Sequence, residues 1–445
     1  MRYLIKSLQI ASAKTKDFKD KKFYTLESTS PFAITQEEVD ALDTKRPTGL
    51  SGHMRAKNEE ATLEASIHSV MPALDELVLS VQPSDDKTYQ LALKLKDIYK
   101  DKINLIYYTP SILPAHSSHI RLDEKTKEIL KNFKGTIPSE SIHSLAHFYN
   151  HGMVRIKYSH YMKVDADQIY LTSKCIKLKE AIKLTANFKK QPNPKTKPLF
   201  KPSMIDKLLA NLFNLTPKDN LKNHLENSLE DSLEDTFLSN YLAYKNAAFA
   251  MGGINIGLSK AQFKAIYKNY NDKEAQEKYA LGSFSGPFKN GVLKNLDITK
   301  LKLALFSKDL NQQNMLSKCL VPLSNNEYPT YNGSELLLLE VSKDNLYTMA
   351  PNAAYEVMPT DTNTIIKALG IFWLHFGLVK RNYFIDGRPF KDYIHLSDYL
   401  KASPSFLLAR VEKTSPHILN HMKTWHKRDR RYIKELLESS LDSKA

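Results

Sequence analysis

Two aspartates at the end of an apolar stretch have the clearest potential for chemistry in this sequence. Asp165 and Asp167 stand in the segment MKVDADQ. Side chains at positions i and i+2 of an extended chain project to the same side, so both carboxylates can approach one divalent cation. Such hard oxygen ligands suit Mg²⁺ or Mn²⁺, and the ion can bridge a diphosphate and neutralise the charge that develops as it leaves. The spacing therefore indicates a metal site for a phosphorylated substrate.

The elements before these aspartates predict a parallel α/β sheet. From His53 to about Tyr108 the apolar pattern reads strand, helix, strand, helix, strand. A helical pattern, SIHSLAHFYNHGMVRIKYS, then leads into YMKVDADQIYL, which we interpret as a buried strand ending in the two carboxylates. Ligands of open α/β sheets bind beyond the carboxyl ends of strands. We therefore expect one pocket to be lined by the loops after the first, second and aspartate-bearing strands.

Length and composition indicate a folded protein of more than one unit. The chain has 445 residues, of which 42% are hydrophobic. Its two cysteines, Cys175 and Cys319, match no metal spacing, so we expect buried thiols in a reducing compartment, without disulfide or zinc. The N-terminus lacks the apolar core of a signal peptide, and the most apolar stretch, 365–379, contains Lys367 and His375. We expect a cytoplasmic protein without a membrane-spanning helix.

The net charge of +15 predicts attraction to a polyanion. Nucleic acid, an acidic membrane surface and phosphorylated substrates all qualify. The charge is spread unevenly, and near the C-terminus HMKTWHKRDRRYIKELLESS surrounds Trp425 and Tyr432 with lysines and arginines. Such a segment is interpreted first as a solvated face or tail, then as a membrane-docking helix, and third as a nucleic-acid contact.

Two segments together resemble the family 2 glycosyltransferases of the GT-A fold, the bacterial enzymes of lipopolysaccharide and capsule synthesis. The first strand and helix of such enzymes are similar to MRAKNEEATLEASIHSV, and the turn after their second strand is similar to VQPSDDKT. LAHFYNHGMVRIKYSHYMKVDADQ is similar to the helix and strand before their metal-binding DxD motif. The resemblance covers about residues 51–170, and beyond it chiefly MGGINIGLS.

The resemblance implies a Rossmann-like nucleotide-sugar-binding sheet with helices on both faces, a helical insertion and a mainly helical C-terminal extension. It also implies metal-dependent transfer, with inversion, of a sugar from a nucleotide-diphosphate sugar, with a UDP-sugar favoured. The acceptor would be a glycan or lipid-linked molecule at the cytoplasmic membrane face. Mn²⁺ or Mg²⁺ is the implied cofactor.

The resemblance assigns nucleotide contacts to the first two loops. Arg55, Lys57 and Glu59 match the loop after the first strand, where Glu59 would hold the base or ribose. Asp86 matches the nucleotide-binding aspartate of the second loop. Gln82 stands where the family usually has an acidic residue, which leaves the identity of the nucleotide open.

Metal ligands and diphosphate contacts follow from the same comparison. Asp167 would ligate the metal directly, and Asp165 would contact the ribose or the metal. His375, in the apolar segment GIFWLHFGLVKRNY, would be a further ligand, although a core histidine on an apolar helix explains it equally. Lys380 and Arg381 would bind the diphosphate.

A carboxylate must also take the proton of the acceptor hydroxyl. The family places this base after the glycine segment, and the candidates are Glu335 in YNGSELLLLEV and Glu274 or Glu277 in NDKEAQEKY. We favour Glu335, because NGSE predicts a turn before an apolar run; a plain helix-start carboxylate is the alternative. Gly252 and Gly253 are interpreted as backbone requirements, though a glycine pair also lets an acceptor sugar approach the main chain.

We predict five regions along the chain. These are an N-terminal extension (1–48), a nucleotide-sugar half (49–187), a Pro/Lys-rich and helical insertion (188–240), an acceptor half (241–385) and a basic helical C-terminal region (386–445).

Three functions stay open at this point. The first is the glycosyltransferase, peripheral at the inner face of the cytoplasmic membrane, for which no nucleic-acid partner is expected. The second is a basic nucleic-acid-binding protein, motivated by the net charge. The third is an inactive glycosyltransferase-like partner of an active enzyme, which the atypical VQP loop permits. P-loop, dinucleotide, zincin and hydrolase motifs do not occur in the sequence.

Overall fold

The computed structural model describes part of the chain in detail. The described residues are 23–60, 62–113, 128, 131, 137–187, 237, 247–256, 320–322, 331–349, 356–357, 365–376, 393–402 and 429–436. Several predicted residues lie outside these ranges, as does nearly all of the predicted insertion: Lys380, Arg381, Glu274, Glu277 and Cys319. The five-region division stays a prediction.

The strands are β1 (Leu50–Ala56), β2 (Glu76–Val81), β3 (Ile103–Tyr107), β4 (His160–Asp165), β5 (Gln168–Tyr170), β6 (Ala247–Asn255), β7 (Leu320–Pro322), β8 (Tyr331–Glu340), β9 (Thr348–Met349), β10 (Glu356–Val357), β11 (Ile365–His375) and β12 (Tyr393–His395). The helices are α1 (Gln36–Asp40), α2 (Leu63–Val70), α3 (Thr88–Tyr99), α4 (Leu145–Met153), α5 (Thr172–Leu184) and α6 (Leu396–Lys401), and residues 429–436 are also helical. Short 3₁₀ turns occupy Ala41–Asp43, Lys100–Lys102, Thr185–Asn187 and Lys343–Asn345.

Eight of these strands form one mixed sheet in the order β3-β2-β1-β4-β8-β6-β11-β5. β3, β2, β1 and β4 run parallel, β8 is antiparallel to β4 and β6, and β11 is parallel to β6 and antiparallel to β5. The strand order reverses between β1 and β4. The carboxyl ends of these two strands therefore form a topological switch point, where ligands of α/β sheets bind. β9 and β10, and β7 and β12, form two small antiparallel pairs.

The predicted α/β fold with helices on both faces is confirmed. One face carries the main core, to which α2, α3 and α5 contribute Ile67, Leu95 and Leu178. The other face is covered by α4, whose Tyr149 and Met153 pack in a second cluster. A strand covered on both faces is buried along its whole length, as β2 is, and its sequence ELVLSV is mostly apolar.

Helix α4 lies unusually close to the sheet. A Cβ added to Gly152 would stand 2.1 Å from Nε2 of His53 on β1, so only glycine fits there. Ser144 caps the helix by accepting a hydrogen bond from the Ala146 N–H at 3.2 Å. Beneath the helix, His53 Nε2 lies 3.2 Å from the Ser80 hydroxyl, and His147 contacts the hydroxyl groups of Thr25 and Tyr108.

The basic C-terminal segment is not wholly a solvated face. Within its described part, residues 429–436, Asp429, Tyr432 and Ile433 are buried, whereas Arg431 and Lys434 are exposed. The apolar side of this helix therefore packs on the protein. Among the described helices, none combines the length and the apolar character that crossing a membrane requires.

The buried histidines under α4 predict an acid-sensitive fold. Burial lowers the pKa of His53 to about 3, of His147 to about 4 and of His151 to about 2, from an ordinary value of 6.5. Above pH 6.5 these rings are neutral whether the chain is folded or unfolded. Below it only the unfolded chain takes up their protons, so we expect the free energy of unfolding to fall by up to about 4 kcal/mol per pH unit near pH 5.

Urea unfolding followed between pH 7.5 and 4.5 measures this slope. We expect His151→Gln to remove up to a third of it. A free energy of unfolding that stays constant from pH 7 to 5 would contradict the prediction.

Candidate functional site

The loops after β1 and β2 form one interlocked unit at the carboxyl edge of the sheet. The Asn58 side-chain oxygen accepts the Asp85 N–H at 2.8 Å, and the Asn58 N–H donates to the Ser84 hydroxyl at 3.1 Å. Glu60 accepts the Lys87 N–H through Oε2 at 3.1 Å. Both loops are therefore preorganised by their own residues.

Asn58 occupies the position that most constrains this unit. Its φ is 55°, in the left-handed region that asparagine tolerates better than most residues because its amide can bond the local backbone. In this protein the side-chain oxygen of Asn58 instead bonds the Asp85 N–H of the second loop. One residue thus sets both the turn after β1 and its spacing from the second loop.

Asp86, predicted to bind the nucleotide, makes several contacts within the protein. Its Oδ1 accepts the N–H of Thr88 at 2.9 Å and also bonds the Thr88 hydroxyl, at the start of α3. Its Oδ2 accepts the Glu60 N–H at 3.1 Å. The carboxylate therefore joins the two loops, and a nucleotide contact stays a prediction.

Arg55, Lys57 and Glu59 are distributed around the same edge. The Arg55 guanidinium lies 4.4 Å from the centroid of the Tyr149 ring, and Arg55 is the β1 partner of Asp165 on β4. Lys57 is exposed. Glu59 is buried; its Oε2 accepts the Thr62 hydroxyl at 3.2 Å, and its N–H donates to the Thr88 hydroxyl at 2.7 Å.

A hydrogen-bond circuit orients Asp165, the last residue of β4. The Tyr170 hydroxyl accepts the Asp165 N–H at 3.0 Å and donates to Gln168 Oε1 at 2.6 Å. Gln168 Nε2 in turn donates to Asp165 Oδ2 at 3.2 Å. Burial, with Asp165 nearby, raises the pKa of Tyr170 well above its ordinary value, so the phenol stays a donor. Helix α2 adds a bond from the Ser66 hydroxyl to the Asp165 carbonyl at 2.9 Å.

His375, the last residue of β11, lies beside Asp167 in the turn between β4 and β5. Nε2 of His375 lies 3.6 Å from Oδ1 of Asp167, and the two side chains are 17% and 16% exposed. Nδ1 lies 2.8 Å from the Asn255 Oδ1, which can only accept, so Nδ1 carries the proton. Nε2 is then the ring nitrogen that faces the carboxylate, and in a neutral ring its lone pair could be shared with a cation between the two atoms.

These donors fit a hard divalent cation. Two ligands held at about 2.1 Å from one Mg²⁺ lie about 3 Å apart at a right angle and about 4 Å apart when opposite. The 3.6 Å between Asp167 Oδ1 and His375 Nε2 lies between these values, so binding would require a small movement of one of the two side chains. Within the part of the chain that the structure describes, no three His, Cys, Asp or Glu side chains come together in a way that could hold a metal ion. Mg²⁺ and Mn²⁺ sites commonly complete their shell with water and substrate phosphate. The site thus suits a metal that is shared with a phosphorylated ligand.

The local structure around His375 and Glu335 differs from the sequence expectation. His375 ends strand β11, so the apolar helix expected there is wrong. Glu335 lies inside strand β8, opposite Met251 of β6, so the turn or helix start expected at NGSE is also wrong. Both segments are apolar runs, which periodicity alone does not assign to helix or strand. The metal and base roles of these residues stay predictions.

Gly253 has a packing reason for being glycine. A Cβ there would stand 2.0 Å from the indole nitrogen of Trp373 on the neighbouring strand β11. The glycine pair is thus explained at this position as a backbone requirement. Asn255, two residues later, is the site residue that sequence reasoning missed; its only signal was its place at the end of the MGGINIG segment.

Comparisons with known proteins give partial matches only. The chain is similar to glucosyl-3-phosphoglycerate synthase from Mycobacterium tuberculosis, solved with Mn²⁺, UDP and glucosyl-3-phosphoglycerate, at 19% identity over 31% of this chain and 39% of that one, with a TM-score of 0.18. The same enzyme with Mg²⁺ and UDP matches at 18% identity over 31% and 38%, with a TM-score of 0.17. A mycobacterial protein matches at 14% identity over 41% and 52%, with a TM-score of 0.19.

No protein-family model and no curated protein matches the chain. The chain covers less than two fifths of the M. tuberculosis synthase in the first of these matches. At TM-scores below 0.2 the overlap does not extend to the whole fold. The site therefore has to be judged on its own residues.

Asn58 offers a direct test of the interlocked loops. Asn58→Ala should lower the free energy of unfolding by about 2 kcal/mol, because it loses a hydrogen bond and places a Cβ-bearing residue without a compensating amide in the left-handed region. Asn58→Gly loses only the bond to the Asp85 N–H and should lose about 1 kcal/mol. Chemical denaturation of both variants measures the difference, and equal losses would contradict the role of the left-handed backbone.

Proposed function

We propose that this protein is a GT-A-type glycosyltransferase that moves a sugar from a nucleotide-diphosphate sugar to an acceptor hydroxyl with the help of Mn²⁺ or Mg²⁺. One observation carries the proposal. Asp167 follows the strand at the topological switch point, and Nε2 of His375, whose Nδ1 is held by Asn255, lies 3.6 Å from the Asp167 carboxylate. Two oriented ligands at the edge where α/β sheets bind substrates suit a metal that is completed by a diphosphate.

The donor would lie across the loops after β1, β2 and β4. Asp167 and His375 would hold the metal, which supplies charge neutralisation for the departing nucleoside diphosphate. Asp165, fixed by Gln168, would contact the ribose or the metal. Arg55 and Lys57 would contact the nucleotide, together with Glu59 and Asp86, whose loops are already interlocked. Lys380 and Arg381 remain proposed diphosphate contacts.

Acceptor activation requires a base on the opposite side of the reacting carbon. Glu335 is the proposed residue: its carboxylate would take the proton of the acceptor hydroxyl as the new glycosidic bond forms and the diphosphate leaves, which gives inversion. β8 is antiparallel to β4, and Met162 pairs with Leu338, so residue 335 lies farther toward the carboxyl end of β4. Glu274 and Glu277 are the alternatives for this role.

The acceptor proposed from the sequence resemblance is a glycan or lipid-linked molecule of lipopolysaccharide, lipooligosaccharide or capsule synthesis. The net charge of +15 supports an anionic or phosphorylated acceptor, or an anionic membrane surface beside it. Exposed Arg431 and Lys434 contribute basic charge on the described part of the C-terminal segment. A UDP-sugar is the favoured donor.

Ligand-induced stabilisation tests the proposal. We expect Mn²⁺ together with one nucleotide of a UDP, GDP, ADP and CMP panel to stabilise the wild type by about 2.7 kcal/mol at 100 times the dissociation constant. Asp167→Asn has nearly the same volume but loses a metal-binding charge, so the metal-dependent shift should disappear. Differential scanning fluorimetry with and without EDTA, followed by donor hydrolysis and transfer assays, measures both effects.

Asp344→Asn is the matched control, because it makes the same chemical change at an exposed carboxylate in the turn Lys343–Asn345. It should respond to Mn²⁺ and nucleotide like the wild type. Wild-type transfer activity in Asp167→Asn would overturn the assignment of the metal site. Binding without any hydrolysis or transfer would favour the inactive partner protein, and salt-sensitive duplex binding without nucleotide binding would favour the nucleic-acid alternative.

A further inference from the structure

A fully buried ion pair contacts β11, the strand that ends in His375. Nζ of Lys174, on α5, stands 2.8 Å from Oδ1 of Asp429, at the start of the helical segment 429–436, and both side chains have 0% exposure. The two residues are far apart in the chain, and each lies on a helix outside the sheet. Lys174 also lies 4.3 Å from the Phe372 ring centroid.

Burying such a pair is expensive unless further hydrogen bonds satisfy both groups. Here those bonds go to the backbone of one short stretch of β11. Lys174 Nζ donates to the carbonyl oxygen of Leu369 at 3.1 Å and to that of Ile371 at 2.8 Å. Asp429 Oδ2 accepts the N–H of Ile371 at 2.9 Å. The pair therefore binds three backbone groups across one three-residue segment.

This segment is where β11 is irregular. Its register against β6 shifts between Ala368 and Ile371 and again between Ile371 and Trp373. From Ala250 to Asn255 β6 advances five residues, while β11 advances seven, from Ala368 to His375. Gly370, inside the first shift, has a φ of 99°, which glycine adopts without strain.

The extra residues decide where His375 comes to lie. Beyond the irregular stretch, His375 pairs with Asn255 on one side and with Gln168 on the other. A shift of one residue in a strand turns every following side chain to the opposite face. Loss of one of the two extra residues would therefore turn the imidazole away from Asp167.

We propose that Lys174 and Asp429 are positioning residues that hold the β11 bulge, and through it the register that places His375 beside Asp167. The inference rests on the proposed function in so far as His375 is a metal ligand. It assigns the C-terminal helical segment a part in building the site, separate from any role at a membrane surface.

A purely stabilising role is the competing explanation, and a double variant separates the two. Lys174→Met or Asp429→Leu alone leaves one buried charge without its counterion, so either single variant should unfold at lower urea concentration. Lys174→Met/Asp429→Leu removes both charges and should regain most of the lost urea midpoint, yet it leaves the three backbone groups of β11 without these partners. The double variant is therefore the informative protein.

The first measurement is the affinity for Mn²⁺ alone, followed by the electron paramagnetic resonance signal of free Mn²⁺. We expect the double variant to bind Mn²⁺ about 10–100-fold more weakly than the wild type, as is typical when groups that orient a metal ligand are removed. The control is Lys179→Met on the same helix, which breaks the partly buried Lys179–Asp75 pair at 2.7 Å. It should bind Mn²⁺ like the wild type. A refolded double variant with wild-type Mn²⁺ affinity overturns the proposal.

A second measurement does not depend on the metal. Asp167→Cys/His375→Cys, treated with a short thiol-bridging reagent, reports whether positions 167 and 375 face each other. We expect bridging at least tenfold slower when Lys174→Met/Asp429→Leu is added, and unchanged bridging when Lys179→Met is added. Equal bridging rates overturn the positioning role. If the wild type binds Mn²⁺ neither alone nor with any nucleotide of the panel in a way that Asp167→Asn removes, while bridging still depends on the ion pair, the proposed function fails and the positioning inference stands.

Discussion

The pairing of β1 with a parallel neighbour on each side is the constraint on which the rest of the structure depends. β1 is hydrogen-bonded to β2 and β4 and covered by helices on both faces. Because the three strands are parallel, their carboxyl ends lie side by side at one end of the sheet. The loops after β1 and β2 and the DxD turn after β4 are thereby brought together. Arg55 and Asp165 are partners in this register, so residues more than a hundred positions apart line one edge.

Much of this half of the fold is predictable from the sequence, because its signals are local. The change of apolar period between strands and helices predicts β1 to β4 and the helices between them, and the placement of Asp165 after an apolar strand predicts where the candidate site lies. The second half is harder to predict. An apolar run such as the one that ends in His375 is compatible with a helix or a strand. It is a strand here because it pairs with β6 and β5. The contact of Asn255 with His375 is tertiary and leaves no local signal.

Single carboxylates also show that residue type and position are visible in the sequence, whereas tertiary contacts are not. Asp86 and Glu59 have the residue types and positions of ligand-binding groups, and both accept hydrogen bonds that hold the loops together. Asp429 stands in a segment whose composition indicates a solvated basic surface, yet it is buried against Lys174. Sequence pattern identifies which residues can ionise, but the energy of burying each charge depends on partners supplied by distant segments.

The long sequence separation within the buried ion pair has a consequence for the order of events during synthesis. Lys174 and Asp429 are 255 residues apart (429 minus 174), and translation proceeds at about 5–20 residues per second. The parallel half of the sheet thus emerges from the ribosome tens of seconds before the residue that completes the support of β11. Until β6, β8 and β11 are made, β4 lacks its later neighbour in the sheet, and such an unpaired strand edge is the kind of surface that makes incomplete chains prone to aggregate.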